Sequence, residues 1–281
     1  MKKRTMKLVT TVLAATLALS TFAGCGSGDG NQASGKLSGK ISLAGSTSME
    51  KVCEALMEGF MEKYPDVTVT TEYTGSGAGL ESLAAGSVDI GNSSRHVKDE
   101  EKSKGAVENV IALDGIAVIT DTSNTVVDLT DEELRKIYTC EITNWSELGG
   151  KDEAIIVIGR ENGSGTRDAF EELLGVKDEC QYAQELDSTG GVLAKVASIS
   201  GAIGYVSLDV VDSSVIAMKL NGVDATEENV KNGSYSLMRP FVMATKGDLS
   251  QQSDLVKAWF DYIASEEGKG IVKGAGLVNP D

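Results

Sequence analysis

AIIVIGRENGSGTRDAFEELL, residues 154–174, begins with an apolar run and ends in a helical pattern. AIIVIG (154–159) has the composition of a buried strand, and Ala169, Phe170, Leu173 and Leu174 recur on one helical face. Between them lies RENGSGTR (160–167), made of small and polar residues with an arginine at each end. A strand followed by a glycine-rich loop and a helix predicts α/β architecture, in which ligands sit beyond the carboxyl ends of strands. A helix N-terminus offers unpaired N–H groups and about half a positive charge, so the loop suits an anion. That anion could belong to a nucleotide or a nucleic acid, or be a free ion.

The same alternation recurs on both sides of this stretch. KISLAG (40–45) predicts a strand, and Met49, Val52, Cys53, Leu56, Phe60 and Tyr64 predict a helix. VTVTTEY (67–73) alternates as a strand, and Leu80, Leu83 and Ala84 mark a short helix. VDIG (88–91) and NVIALDGIAVIT (109–120) are strand candidates, and Thr130 with Glu133 forms a capping box that opens a helix through Tyr138. Ser188 caps a helix to about residue 198, AIGYVSL (202–208) predicts a strand and MRPFVMAT (238–245) is extended. Leu255, Trp259, Tyr262 and Ile263 mark a C-terminal helical region. The pattern predicts mainly parallel sheets flanked by helices.

Four Ser/Thr/Gly-rich segments fall at predicted strand ends: GSTSM (45–49), TGSGAG (74–79), GNSSR (91–95) and RENGSGTR (160–167). Hydroxyls beside helix N-termini add donors that rotate to suit a ligand, and Arg95 and Arg160 can each present a bidentate fork to an oxyanion. Nucleotide and nucleophile motifs do not fit. A Walker A loop requires Lys where Thr166 stands, and a nucleophile elbow requires Gly where Asn162 and Thr74 precede Ser164 and Ser76. A G-x-G-x-x-G loop is absent from these junctions, and no carboxylate pair suggests acid–base chemistry. The expectation is a binding protein, neither an enzyme nor the holder of a cofactor or metal.

The whole chain has 281 residues and a formal charge of −16. Residues 1–24 hold four basic and no acidic residues, so the remainder carries −20. So acidic a body argues against nucleic acid, whose binding rests on clustered Lys and Arg. The N-terminus has a basic head followed by a nearly uncharged run, Leu8 to Phe22. That run is shorter than the roughly 20 residues of a membrane-spanning helix and fits a secretory signal. Ala23-Gly24-Cys25 is similar to a bacterial lipobox, which makes Cys25 the expected lipidation site and 1–24 the signal peptide. Residues 25–36 are Gly/Ser-rich and predict a flexible tether. Cys53, Cys140 and Cys180 lack metal spacing, and a Cys140–Cys180 disulfide and free thiols both fit. His96 is the sole histidine.

AGSTSM (44–49), GSGAGLESLAAGSVDIGNSSR (75–95), ITNWSELGG (142–150) and GRENGSGTRDAF (159–170) together resemble the PstS family, the phosphate-binding proteins of ABC phosphate importers. The resemblance runs from about Leu37 to Asn279. It implies a two-domain, hinged periplasmic-binding-protein-like fold of type II, each domain a mainly parallel sheet flanked by helices. Domain I would comprise 37–119 plus 240–281, and domain II 120–239. It also implies a monomeric, extracytoplasmic lipoprotein that binds inorganic phosphate and delivers it to the membrane permease and ATPase subunits of an importer. The ligand contacts carried over are Ser46, Thr47, Ser48, Ser76, Ser94 and Arg95 from one side, and Arg160, Ser164, Gly165 and Thr166 from the other. Some relatives carry Asp where Ser94 stands, a carboxylate that accepts the ligand's proton. Asp168 is the substitute acceptor expected here, and Ser94 leaves sulfate, molybdate or tungstate open as alternative ligands. A sensor or adhesin retaining the fold is a further alternative. Cys140 stands where relatives often have Gly.

Overall fold

A computed structural model describes residues 37–280; the expected signal peptide, Cys25 and the tether lie outside the described residues. The first half of the chain forms β1 (Gly39–Gly45), α1 (Glu50–Lys63), β2 (Val67–Tyr73), α2 (Ser76–Ala85), β3 (Ile90–Ser93), α3 (Asp99–Ser103), β4 (Ala106–Val107) and the long β5 (Val110–Asp121). There follow β6 (Asp128–Leu129), α4 (Asp131–Tyr138), β7 (Ile156–Arg160), α5 (Gly165–Leu174), β8 (Gln184–Leu186), α6 (Thr189–Ser198), β9 (Ala202–Ser207), β10 (Val215–Ala217), β11 (Lys219–Leu220) and α7 (Glu227–Lys231). The chain returns through β12 (Met238–Lys246) and ends in α8 (Asp254–Ala264) and α9 (Glu266–Gly274).

Ten strands form one sheet, whose main path runs β2-β1-β3-β12-β5-β9-β7-β8. β10 is added on β5 and β4 on β12, while β6 and β11 pair separately. The expected parallel pairing holds at both ends, where β1 lies between β2 and β3 and β7 between β8 and β9. It fails in the middle, where β12 is antiparallel to β3 and β5, and β5 to β9. The reason is topological. β5 carries the chain from one lobe to the other and β12 brings it back alongside, so the pair runs in opposite directions without a crossover helix.

The buried side chains divide the same way. Ile41, Val52, Phe60 and Trp259 belong to one cluster, and Tyr138, Trp145, Phe170 and Tyr205 to another. Phe170 and Tyr205 stack with centroids 4.2 Å apart. Along β5, Ile111 and Ala112 pack in the first lobe, whereas Ile116 and Val118 pack in the second. Ala117 and Ile119 face a further second-lobe cluster on the opposite side of the strand. Covering both faces explains the unbroken apolar run in this segment. On the return, Leu237 belongs to the second lobe and Phe241 to the first. The cores therefore change over between 112 and 116 on the way out and between 237 and 241 on the return.

Local signals position the helices. Thr130 and Glu133 cap α4 reciprocally, and the side chains of Ser164 and Ser188 cap α5 and α6. α4 ends with Cys140 N–H donating to the Ile137 carbonyl and Glu141 N–H to that of Lys136. This is the Schellman arrangement, and it places Cys140 at φ 61°. Cys53, Cys140 and Cys180 are free thiols.

Candidate anion-binding site

The first turns at the strand ends converge on one buried cluster of hydroxyls. From the first lobe come Ser46, Thr47 and Ser48 ahead of α1, Ser76 at the start of α2, and Ser94 after β3; from the second come Thr166 in α5 and Thr189 in α6. Ser46 Oγ donates to Ser94 Oγ at 2.8 Å, and Ser94 Oγ lies 3.4 Å from Ser76 Oγ. Ser48 Oγ lies 2.7 Å from Thr166 Oγ1 and 2.9 Å from Thr189 Oγ1, so a first-lobe hydroxyl joins both second-lobe threonines. Thr47 Oγ1 lies 3.1 Å from Thr189 Oγ1 and accepts from the Thr189 N–H at 3.2 Å. Hydroxyls both donate and accept, so the cluster can turn its protons toward or away from a bound group.

The backbone permits this convergence at two glycines. Gly45 has φ 144°, and a Cβ there would overlap the Asn92 carbonyl. A Cβ on Gly165 would overlap Ser76 Oγ and come within 2.8 Å of Ser94 Oγ. Gly165 is the first residue of α5, so its closeness to the opposite lobe brings that helix's unpaired N–H groups to the hydroxyls. Beside it, Gly77 N–H donates to the Gly163 carbonyl at 2.9 Å, a direct link between α2 and the glycine-rich loop.

Arg160, at the end of β7, is buried against this cluster. Its Nη1 donates to Thr189 Oγ1 at 3.2 Å, while Nε and Nη2 are anchored on the carbonyls of Leu186 and Asp187. Burial pushes its pKa down to about 10, and the charge of nearby Arg239 adds to the effect. A cation held by carbonyls and hydroxyls rather than a carboxylate keeps most of its charge available to an anion.

Of the residues expected from sequence, Ser46, Thr47, Ser48, Ser76, Ser94, Arg160, Gly165 and Thr166 come together. Ser164 is buried beside them and spends its oxygen on the Arg167 N–H as the cap of α5. Arg95 is not brought into the cluster. Its guanidinium binds Glu101 with two nitrogens, Asp168 through Nε at 2.7 Å, and the His96 carbonyl. Burial alone would lower its pKa, but Glu101 and Asp168 outweigh this and hold it above the ordinary arginine value. Asp168, the expected proton acceptor, is bound by both Arg95 and Lys98, the latter at 2.8 Å. It serves an ion network joining the lobes. His96 lies at the surface with Nδ1 2.8 Å from Glu108.

Two site residues were not foreseen. Thr189 follows the helix-capping Ser188 in STGG (188–191), another small-residue junction of the kind found at the other loops. Arg239 lies in an apolar extended run and is almost wholly buried. Its Nη1 donates to Thr166 Oγ1 at 2.6 Å and to the Ser94 carbonyl at 3.3 Å, and its Nε donates to Asp114 Oδ2 at 2.9 Å. Behind this pair, burial raises the pKa of Asp114, and burial together with the charge of Asp114 raises that of Asp209 to about 7.

A two-lobed α/β chain with crossing strands and a polar cluster between its lobes defines a class, the periplasmic-binding-protein fold. A family model described as a PBP superfamily domain matches residues 30–267. The phosphate-binding protein PstS of Bacillus subtilis (strain 168) is 34% identical over 242 residues, covering 84% of this chain and 79% of the relative. A phosphate ABC transporter substrate-binding protein from Clostridium perfringens, solved with bound phosphate, is 43% identical with a TM-score of 0.81, covering 86% of this chain and all of that one. An ABC-type phosphate transport receptor from Vibrio cholerae is 32% identical with a TM-score of 0.72, covering 85% of this chain and all of that one. The chain belongs to the PstS family of phosphate-binding proteins.

Proposed function

We propose that this chain captures inorganic phosphate between its lobes and passes it to the permease and ATPase subunits of an ABC importer. The observation that carries this reading is the buried meeting of hydroxyls from both lobes with Arg160 and the first turn of α5. Four ligand oxygens need many donors from several directions, and loops from both lobes supply them. Ser46, Thr47, Ser48, Ser76 and Ser94 would hold the ion from one lobe, and Arg160, Ser164, Gly165 and Thr166 from the other, with Thr189 added. Opening would occur about β5 and β12, near residues 113–115 and 238–240, where the buried clusters change over. The solved relative with bound phosphate supports the same ligand.

We further propose that the protein works outside the cytoplasm as a monomer, held to the membrane by a lipid on Cys25. Among the described residues no helix is long and apolar enough to cross a membrane. Replacing Cys25 with Ser is expected to release the protein from the membrane fraction.

A second tetrahedral anion is favoured by one feature. Ser94 is a hydroxyl that can donate to a fully ionised oxygen, and Asp168 is occupied by Arg95 and Lys98. A thermal-shift panel of phosphate, arsenate, sulfate, molybdate and a phosphomonoester separates the readings. A ligand at 100 times its Kd stabilises by about 2.7 kcal/mol. A shift with phosphate and arsenate alone is the expected outcome. An equal shift with sulfate makes this a general oxyanion receptor, and no shift with any anion overturns the proposal.

A further inference from the structure

We infer that Arg239 is a second ligand-contacting cation of the site, held in place by Asp114; this rests on the phosphate reading above. Arg239 and Asp114 are register partners on β12 and β5, the two strands that cross between the lobes. Asp114 Oδ2 accepts from Nε at 2.9 Å and forms an ion pair with Nη2 at 2.8 Å, and the guanidinium carbon lies 5.3 Å from the Phe241 ring centroid. These contacts fix the plane of the fork. Its free edge is turned to the cluster, where Nη1 reaches the Thr166 hydroxyl from one lobe and the Ser94 carbonyl from the other. Nη2 makes no aligned hydrogen bond, although it is buried.

The distribution of charge points the same way. Arg160 and Arg239 are both buried and close enough for one to depress the ionisation of the other. Asp114 is the buried carboxylate paired with Arg239, while Arg160 rests on neutral groups. Neighbouring Asp209 is pushed by burial toward its neutral form. The cluster therefore carries more positive than negative charge in a desolvated place, and like charges held together without a counter-ion are unfavourable. A bound oxyanion beside the Thr166 hydroxyl neutralises both guanidinium groups at once. Arg95, fully engaged by two carboxylates, has no such surplus.

A structural role and a ligand-contacting role separate in a double variant. Arg239→Gln alone strips Asp114 of its partner and is expected to destabilise the fold. Asp114→Asn with Arg239→Gln removes both charges together. In the full chain this double variant is expected to melt within a few degrees of wild type without ligand, yet to bind inorganic phosphate at least tenfold more weakly by calorimetry. Asp114→Asn alone keeps the cation but loosens the hold on its fork, and is expected to lose affinity, though less than the double variant does. Arg239→Lys restores part of the lost affinity by returning the charge without the fork, and serves if the double variant does not fold. Wild-type affinity in the double variant, or equal losses in Arg239→Lys and Arg239→Gln variants that fold, overturns the role of Arg239. Wild-type protein that ignores phosphate overturns the underlying reading instead.

Discussion

Ser48 and Thr166, 118 positions apart in the chain, share a buried hydrogen bond of 2.7 Å across the two lobes. Each stands at the start of a helix-forming segment, Ser48 in the turn that leads into α1 and Thr166 as the second residue of α5. The contact thus joins the positive ends of two dipoles through groups that can each donate or accept. An anion placed there meets both ends together.

Arg160 and Arg95 are expected to behave differently despite their similar place in the sequence pattern. Arg160→Ala removes a buried cation aimed at the cluster and should weaken phosphate binding at least tenfold. Arg95→Ala removes a clasp between lobes, Arg95 to Asp168, and should cost no more than about fivefold, or roughly 1 kcal/mol. Calorimetric titration of the two variants checks this, and equal losses would return Arg95 to the ligand shell.

Gly165→Ala tests the close approach of the lobes. Alanine suits the first turn of a helix, so α5 itself should still form. The added methyl group would overlap Ser76 Oγ and crowd Ser94 Oγ, so the lobes could not meet. At least a tenfold loss of phosphate affinity is expected; unchanged affinity would mean that the bound state leaves a gap at this position.

Cys140→Gly should stabilise the protein. Cys140 sits at φ 61° just past α4, where a side chain crowds the backbone. Glycine relieves this, with a gain of about 1 kcal/mol after allowance for its greater freedom when unfolded. Urea denaturation measures the change, and a loss of stability would show that the thiol contributes more by packing than the strain removes.

Asp209 should make stability depend on pH. Burial raises its pKa from 3.8 to about 7, so between these values the folded chain keeps a proton that the unfolded chain has released. Stability from this group is therefore greatest at low pH and declines as pH rises toward 7. Asp209→Asn cannot ionise, and its advantage over wild type should grow by up to about 1.4 kcal/mol per pH unit between pH 4 and 7, then level off. Melting curves of the pair from pH 5 to 8 give the difference, and a constant offset would place the charge elsewhere.

Much of the lobe structure follows from local patterns. β2 occupies the same residues as the alternating run VTVTTEY, and α4 starts at its capping box. The polar junctions also marked the site, because the turn chemistry that starts a helix is the chemistry that binds an anion there. What local patterns could not show was competition over distance. Glu101 and Asp168 take Arg95 away from the cluster, and they lie six and 73 positions from it. Arg239 was hidden because its partner Asp114 is 125 positions away and both sit in otherwise apolar strands. β8 is three residues long with two exposed polar side chains, too short to show alternation. The change of core along β5 is invisible for a related reason: the strand is apolar on both sides of Asp114, and only the packing partners differ.

The central position of β12 also governs the order in which the molecule can be completed. β12 is inserted between β3 and β5, yet its pairing residue Val242 follows Ser93 by roughly 150 residues. As the chain emerges from synthesis or from a translocation channel, the sheet of the first lobe must remain without its inner neighbour until the second lobe has been delivered. The second-lobe cluster that contains Ala117, Val192 and Val215 has its buried members in place by residue 215, with Ala225 packed against it. Both main cores wait for the C-terminal segment, which supplies Leu277 to the first lobe and Val278 to the second.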